Sequence, residues 1–157
     1  MNQPKKNLII SAVIVMTALI AFIIYPLYNK LNLYELNIEV RSSEEMEQKL
    51  RLLFTFTLFF IPLIYFALEK FLKLTTKKEK LFVAGSISIS GIIFWQIRIY
   101  SLNQQFKELQ QPYEHVVIHY QFLKENLFLE IFLMTGIIIG AAISLLAIKR
   151  FRKIYSK

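Results

Sequence analysis

The sequence predicts an all-α membrane protein: a four-transmembrane-helix bundle with both termini in the cytoplasm and a small outer cap. Four apolar runs are each long enough to cross a bilayer, at residues 8–25, 52–68, 81–97 and 127–148. With 55% hydrophobic residues, the chain has too little polar surface to cover a soluble core. We therefore interpret residues 1–157 as a single integral membrane domain.

The distribution of basic residues predicts the orientation. Of the 19 lysines and arginines, 12 belong to the N-terminus, the linker 69–80 and the tail 149–157, and 7 to the outer side; the glutamates divide 2 inside to 9 outside. Cytoplasmic segments carry the excess of Lys and Arg, so this division favours N-in and C-in. The formal charge of +8 is then explained by anchoring to membrane lipid, and we expect no nucleic-acid partner.

The first helix, residues 8–25, follows two lysines and resembles the start of a signal peptide. No Ala-x-Ala-like cleavage site follows it, so we expect it to remain in the protein. Pro26 is expected to end it, because the proline ring removes a backbone donor.

An alternating pattern follows in the first outer loop, residues 28–51. Its apolar members are Tyr34, Leu36, Ile38 and Val40, and polar residues separate them. A period of two is typical of a half-buried β-strand, which needs a partner strand from the second outer loop, from another subunit or from a different protein. We therefore predict a partner-binding strand over residues 34–40, and the alternative is an extended connector lying on the membrane surface.

The second helix is predicted to begin before its apolar run. Ser42 and Glu45 have the spacing of a capping box, and two acidic–basic pairs at i, i+4 spacing support an exposed first segment. These pairs are Glu45–Lys49 and Glu47–Arg51. Pro62 is expected to kink the helix, and the carbonyl that it frees needs a donor such as Thr55, Thr57 or a neighbouring helix.

Small residues recur on one face of the third and fourth helices. They are Ala84, Ser88 and Gly91 in the third helix, and Gly136, Gly140 and Ser144 in the fourth. Because small side chains let two backbones approach closely, we predict that these stripes pack together, and that the fourth-helix stripe also serves in docking to a partner.

The second outer loop, residues 99–126, is predicted to contain two helical pieces separated by Pro112. It includes His115 and His119, which share a helical face at i, i+4 spacing and are the candidate metal ligands. A complete site needs a third ligand, so the alternatives are two interfacial imidazoles without metal or a pH-sensing pair. We expect no cofactor.

Three polar side chains lie near the outer ends of membrane helices. Gln96 and Arg98 belong to the third helix, and Glu130 lies one turn into the fourth. Ionisable residues in a membrane usually face inward or pair, which predicts an intramembrane Arg98–Glu130 pair. The alternative is that both side chains extend to the outer interface.

These patterns leave three hypotheses for function. The favoured one is a non-enzymatic interaction or accessory subunit of a membrane complex, with an immunity or inhibitor protein as a special case. It would bind another membrane protein or a second copy of itself. The alternatives are a transporter or channel subunit with Arg98 and Glu130 along its path, and a metal-dependent membrane enzyme built on His115 and His119. The chain has no Cys and no Asp, which excludes disulfides, a cysteine nucleophile and a Ser-His-Asp triad. We expect the bacterial cytoplasmic membrane as its location.

Overall fold

The computed structural model describes residues 3–36, 40–41, 43–110, 122–123 and 127–155. Its elements in chain order are α1 (Gln3–Leu36), β1 (Val40–Arg41), α2 (Glu44–Leu72), α3 (Lys77–Gln110), β2 (Phe122–Leu123) and α4 (Leu129–Tyr155). The two strands form one short parallel ladder, in which Val40 pairs with Phe122 and Arg41 with Leu123.

All four helices are long and apolar enough to cross a membrane. The candidate spans are Asn7–Asn32, Glu44–Leu72, Lys77–Glu108 and Leu129–Lys153. Large aliphatic side chains cover much of the outer surface, and Leu8, Leu81 and Leu146 are among those at least two-thirds exposed. Exposing such a side chain to water costs about 1.5–3 kcal/mol, whereas a lipid tail is as apolar as leucine. The surface thus fits a chain whose solvent is a bilayer.

The helices run antiparallel to their neighbours in sequence. The most extensive contact joins α3 to α4; α1 packs mainly on α2, and α2 also contacts α4, which gives the order α1, α2, α4, α3 around the bundle. We call the end with the α1–α2 and α3–α4 connections the loop end. The other end, with the α2–α3 connection, the start of α1 and the end of α4, is the basic end.

The contact between α3 and α4 brings two backbones together. A Cβ atom built on Gly136 would lie 2.4 Å from the Ser90 carbonyl oxygen, and one built on Gly140 would lie 2.4 Å from that of Ser86. Atoms cannot approach so closely, so only glycine fits at these two positions. The fully buried side chains of Ile87 and Ile137 fill the space beside them.

The first helix does not end at Pro26, contrary to the prediction. It continues to Leu36, so Tyr34 and Leu36 lie in its last turns where an extended strand was expected. Of the predicted strand, Val40 alone is described as extended, and Ile38 lies outside the described residues.

Two details of the second helix differ from the prediction. Its N-cap is Ser43 rather than Ser42, and the Ser43 hydroxyl accepts a hydrogen bond from the Met46 backbone N–H at 3.2 Å. The predicted Glu45–Lys49 pair forms, at 2.6 Å. Both residues of the predicted Glu47–Arg51 pair contact α1, as described below.

The third helix also extends beyond its apolar run, to Gln110, so the first helical piece expected in the second outer loop is continuous with it.

Five hydroxyl groups within the membrane-spanning helices find their acceptors in the same helix. Those of Thr17, Thr55, Thr57, Thr135 and Ser144 each donate to the carbonyl four residues earlier. Thr55 and Thr57 therefore bond the carbonyls of Arg51 and Leu53, and not that of Leu58, which Pro62 deprives of its helical donor.

At the basic end, Arg152 joins α4 to the α2–α3 connection. Its guanidinium donates to the carbonyl oxygens of Leu72 and Lys73, which end α2, and to the Glu79 carboxylate at 3.0 and 3.1 Å. A helix C-terminus carries partial negative charge on its last carbonyls, so a cation is favourable there. One basic residue of the tail thereby binds the end of another helix.

Gly140→Ala is expected to lower the free energy of unfolding by about 1–3 kcal/mol, because its methyl group would force α4 away from α3. Gly85→Ala is the matched control, since no atom lies within 4 Å of its Cβ position. Alanine there should stabilise α3 by up to about 1 kcal/mol. Equilibrium unfolding in mixed detergent micelles measures both, and equal effects would contradict the close approach of the two backbones.

Candidate functional site: a polar cavity at the loop end

A polar cavity of about 440 Å³ lies between α1 and α2 at the loop end. Its lining residues are Tyr25 and Pro26 from α1 and Glu44, Glu47, Gln48 and Arg51 from α2. The acidic residues belong to the first turn of α2, where the helix dipole favours negative charge. The cavity therefore offers carboxylate, amide, phenol and guanidinium groups within one opening.

Arg51 replaces a backbone donor that α1 lacks. In a helix, the Phe22 carbonyl would accept from the N–H of residue 26, but that residue is Pro26 and has none. The Arg51 guanidinium supplies two donors to this carbonyl, at 3.1 Å from Nε and 3.0 Å from Nη2, and lies 3.8 Å from the centre of the Phe22 ring. This contact explains how α1 passes through a proline in apolar surroundings.

Glu47 contacts α1 one turn closer to the loop end. Its carboxylate accepts a hydrogen bond of 2.9 Å from the Asn29 amide nitrogen, and it also interacts with the buried Tyr25. The Asn29 amide oxygen is buried and has no hydrogen-bond partner among the described residues. A buried acceptor without a donor is costly, so this oxygen lowers the stability of the α1–α2 contact.

A second layer of polar residues lies behind the cavity, inside the bundle. Trp95 of α3 donates from Nε1 to the buried Asn32 of α1 at 2.9 Å. The Tyr28 ring stacks on Phe54 of α2 at 4.2 Å between centroids, and its hydroxyl makes no hydrogen bond of normal geometry within the described part of the chain. The carboxylate of Glu130, itself buried, interacts electrostatically with this layer through Tyr28.

The predicted helix-packing residues separate into two groups. Gly136, Gly140 and the buried Ser144 face the α3–α4 contact, and Gly91 lies there as well, beside Ile137. Ala84 and Ser88 do not: they line an apolar cavity between α1, α2 and α3. The α3 residues that meet the fourth-helix glycines are Ser86 and Ser90, which lie on a different stripe from Ala84 and Ser88.

The predicted Arg98–Glu130 pair stays a prediction, and other contacts of the polar trio are described. The Arg98 side chain donates from Nε to the Leu127 carbonyl at 2.9 Å and lies 5.2 Å from the centre of the Phe132 ring. Arg98 thus joins α3 to the start of α4 through a backbone oxygen and a ring. Glu130 is buried, and Gln96 lies on the exposed surface of α3.

His115 and His119 lie outside the described residues, so the metal hypothesis stays a prediction. Within the described ranges, no group of three or more His, Cys, Asp or Glu side chains is placed to hold a metal ion.

Sequence reasoning did not find the polar cavity or the Arg51–Phe22 contact. One signal was available: a proline inside an apolar run implies an orphaned carbonyl four residues earlier, and Arg51 is a donor-rich side chain at the same end of the next helix. The Trp95–Asn32 bond had no comparable signal, since 63 residues separate its partners.

Comparison with known proteins adds no relative: no family model, no curated protein and no solved structure matches this chain.

Arg51→Ala is expected to lower the free energy of unfolding by about 1–3 kcal/mol, because the Phe22 carbonyl loses its charged donor. In a Pro26→Ala background the new N–H satisfies that carbonyl, so the same substitution should cost less. The double-mutant cycle, measured by unfolding in micelles, should give a coupling of about 1–2 kcal/mol. Lys49→Ala, which breaks an exposed ion pair, is the control and should show no such coupling; additive effects of Pro26→Ala and Arg51→Ala would contradict the interpretation.

Proposed function

We propose that this protein is a small integral protein of the bacterial cytoplasmic membrane that acts as a non-enzymatic accessory subunit of a membrane complex. The observation that supports this most is where its polar groups lie. Four of the six residues that line the open cavity at the loop end carry charged or amide side chains, namely Glu44, Glu47, Gln48 and Arg51. Such a site is suited to recognising a polar group of another molecule.

The middle of the bundle favours recognition over transport. There α3 and α4 touch through their backbones, and the neighbouring cavity is lined by aliphatic and aromatic side chains with the hydroxyls of Thr17, Tyr65 and Ser88. A transport path usually places charged or strongly polar groups near the midplane, and none of the described residues that line this cavity is charged. Transport therefore has weaker support than a docking role.

The docking surface that we propose is the loop end rather than the glycine stripe, because Gly136 and Gly140 are already covered by α3. Around the cavity mouth, the exposed Glu44 and Gln48 belong to the first turns of α2 and can meet a partner directly. Glu47 and Tyr25 form the wall behind them. A partner that presents hydrogen-bond donors to this opening would complement its carboxylates, and an immunity or inhibitor protein would use such a surface against its toxin or target.

We also propose that the basic end lies in the cytoplasm and the loop end outside, on the basis of the positive charge at the basic end. The chain has no cysteine, so single cysteines can report the orientation. Gln105→Cys at the loop end should react with a membrane-impermeant maleimide in sealed spheroplasts. Thr75→Cys, an equally neutral and exposed position at the basic end, should react only after permeabilisation. The reverse pattern would invert the assignment.

A photo-crosslinking residue at Gln48, at the cavity mouth, is expected to join the protein to one membrane partner in living cells. The same residue at Ile143, exposed on α4 and outside the lining of the cavity, is the control and should not. The Gln48 crosslink should weaken strongly when Glu44 and Glu47 are both replaced by glutamine, because the partner then loses its acceptors. A lone monomer in gentle detergent, with equal crosslinking from the two positions, would contradict the proposal.

A further inference from the structure

The first helix has a packed half and a poorly packed half. From Leu8 to Ile20 no side chain is fully buried, and the first buried residue is Ala21. Beyond that point Tyr25 and Asn32 are buried against the other helices. Contacts to the rest of the bundle thus fix the position of the loop-end half of α1. The basic-end half is stabilised mainly by its own helical hydrogen bonds.

An open apolar cavity of about 330 Å³ lies beside the poorly packed half. It is bounded by Thr17, Ile20 and Ala21 of α1, with α2 contributing Pro62 and α3 contributing Ile87 among its walls. The cavity leaves room for this part of α1 to change its tilt relative to α2 and α3.

Pro26 lies close to the boundary between the two halves. It removes the hydrogen bond that would hold residue 26 to Phe22, and so makes this the section where α1 bends at least cost. The lost bond is replaced from outside the helix by Arg51, whose two donors and ring contact grip Phe22 on the basic-end side of the proline. The Arg51 side chain, and not a backbone hydrogen bond, therefore stabilises α1 beside Pro26.

We propose that α1 is hinged at Pro26 and that Arg51 is the latch that fixes the angle between its two halves, because it ties Phe22 to α2. With the latch closed, the basic-end half of α1 keeps its position beside the apolar cavity. When Arg51 leaves Phe22, the segment from Asn7 to Phe22 is free to change its tilt relative to α2 and α3. Since Arg51 also lines the polar cavity, the latch lies where an occupant of that cavity can reach it.

Electron–electron distance measurements on the full chain in lipid nanodiscs test this directly, because a chain without cysteine accepts two labels at chosen sites. Labels at Val13 and Ala67, both exposed, span the movable half of α1 and the facing part of α2. Labels at Lys30 and Gln48 span the fixed half and serve as the matched control pair. Hinge motion should make the Val13–Ala67 distribution about twofold broader than the Lys30–Gln48 distribution.

Two substitutions separate the hinge from the latch. Pro26→Ala restores the helical hydrogen bond and should narrow the Val13–Ala67 distribution, whereas Arg51→Ala releases Phe22 and should broaden it further. Arg51→Lys keeps the positive charge but has fewer hydrogen-bond donors, so its Val13–Ala67 distribution should be intermediate between those of the wild type and Arg51→Ala. It replaces Arg51→Ala in the test if the alanine variant does not fold. A Val13–Ala67 distribution as narrow as the control pair, or one that neither substitution changes, would overturn the proposal.

Discussion

The direct contact between the backbones of α3 and α4 is the constraint on which the other contacts depend. With no side chain at Gly136 and Gly140, these helices approach until the carbonyls of Ser86 and Ser90 limit them. That spacing sets where α4 presents Glu130 to the interior and where α3 presents Trp95 to α1. In an apolar solvent, where burial of hydrocarbon gives little driving force, such close packing is a principal source of helix association.

A second constraint is that polar backbone groups must find partners without water. Most do so within their own helix, and hydroxyl side chains follow the same rule by bonding the preceding turn. Where a carbonyl has no donor within its own helix, two arginines supply one. Arg51 serves a carbonyl that a proline orphaned in α1, and Arg152 serves the last carbonyls of α2. Each guanidinium belongs to a different helix from the carbonyls that it bonds. The same contacts therefore supply donors to the backbone and hold two helices together.

The number and approximate position of the helices could be read from the sequence, because run length and hydropathy reflect bilayer thickness. Helix ends could not. The helix α1 continues through Pro26 because a residue from another helix replaces the missing donor, and no local pattern contains that information. The strand pattern around Tyr34 failed for a related reason: alternation is a weak local signal, and helix continuation from the preceding span overrode it.

The candidate site was harder to predict than the fold. Glycine spacing predicted that α4 would pack closely, and the structure has it doing so against α3, but through Ser86 and Ser90 rather than Ala84 and Ser88. Both stripes of α3 consist of small residues, and only the rotation of the helix in the bundle distinguishes them. The polar cavity needed the pairing of α1 with α2, since Tyr25 and Glu47 are distant in sequence and have no motif in common.

The contact between Arg51 and the Phe22 carbonyl has a consequence for how this chain can diverge. A lineage that loses Pro26 regains the helical donor and no longer needs a guanidinium at position 51; one that loses Arg51 first must tolerate an orphaned oxygen until the proline changes. Substitutions at positions 26 and 51 are therefore expected to be correlated, with the proline replaced before the arginine in most lineages.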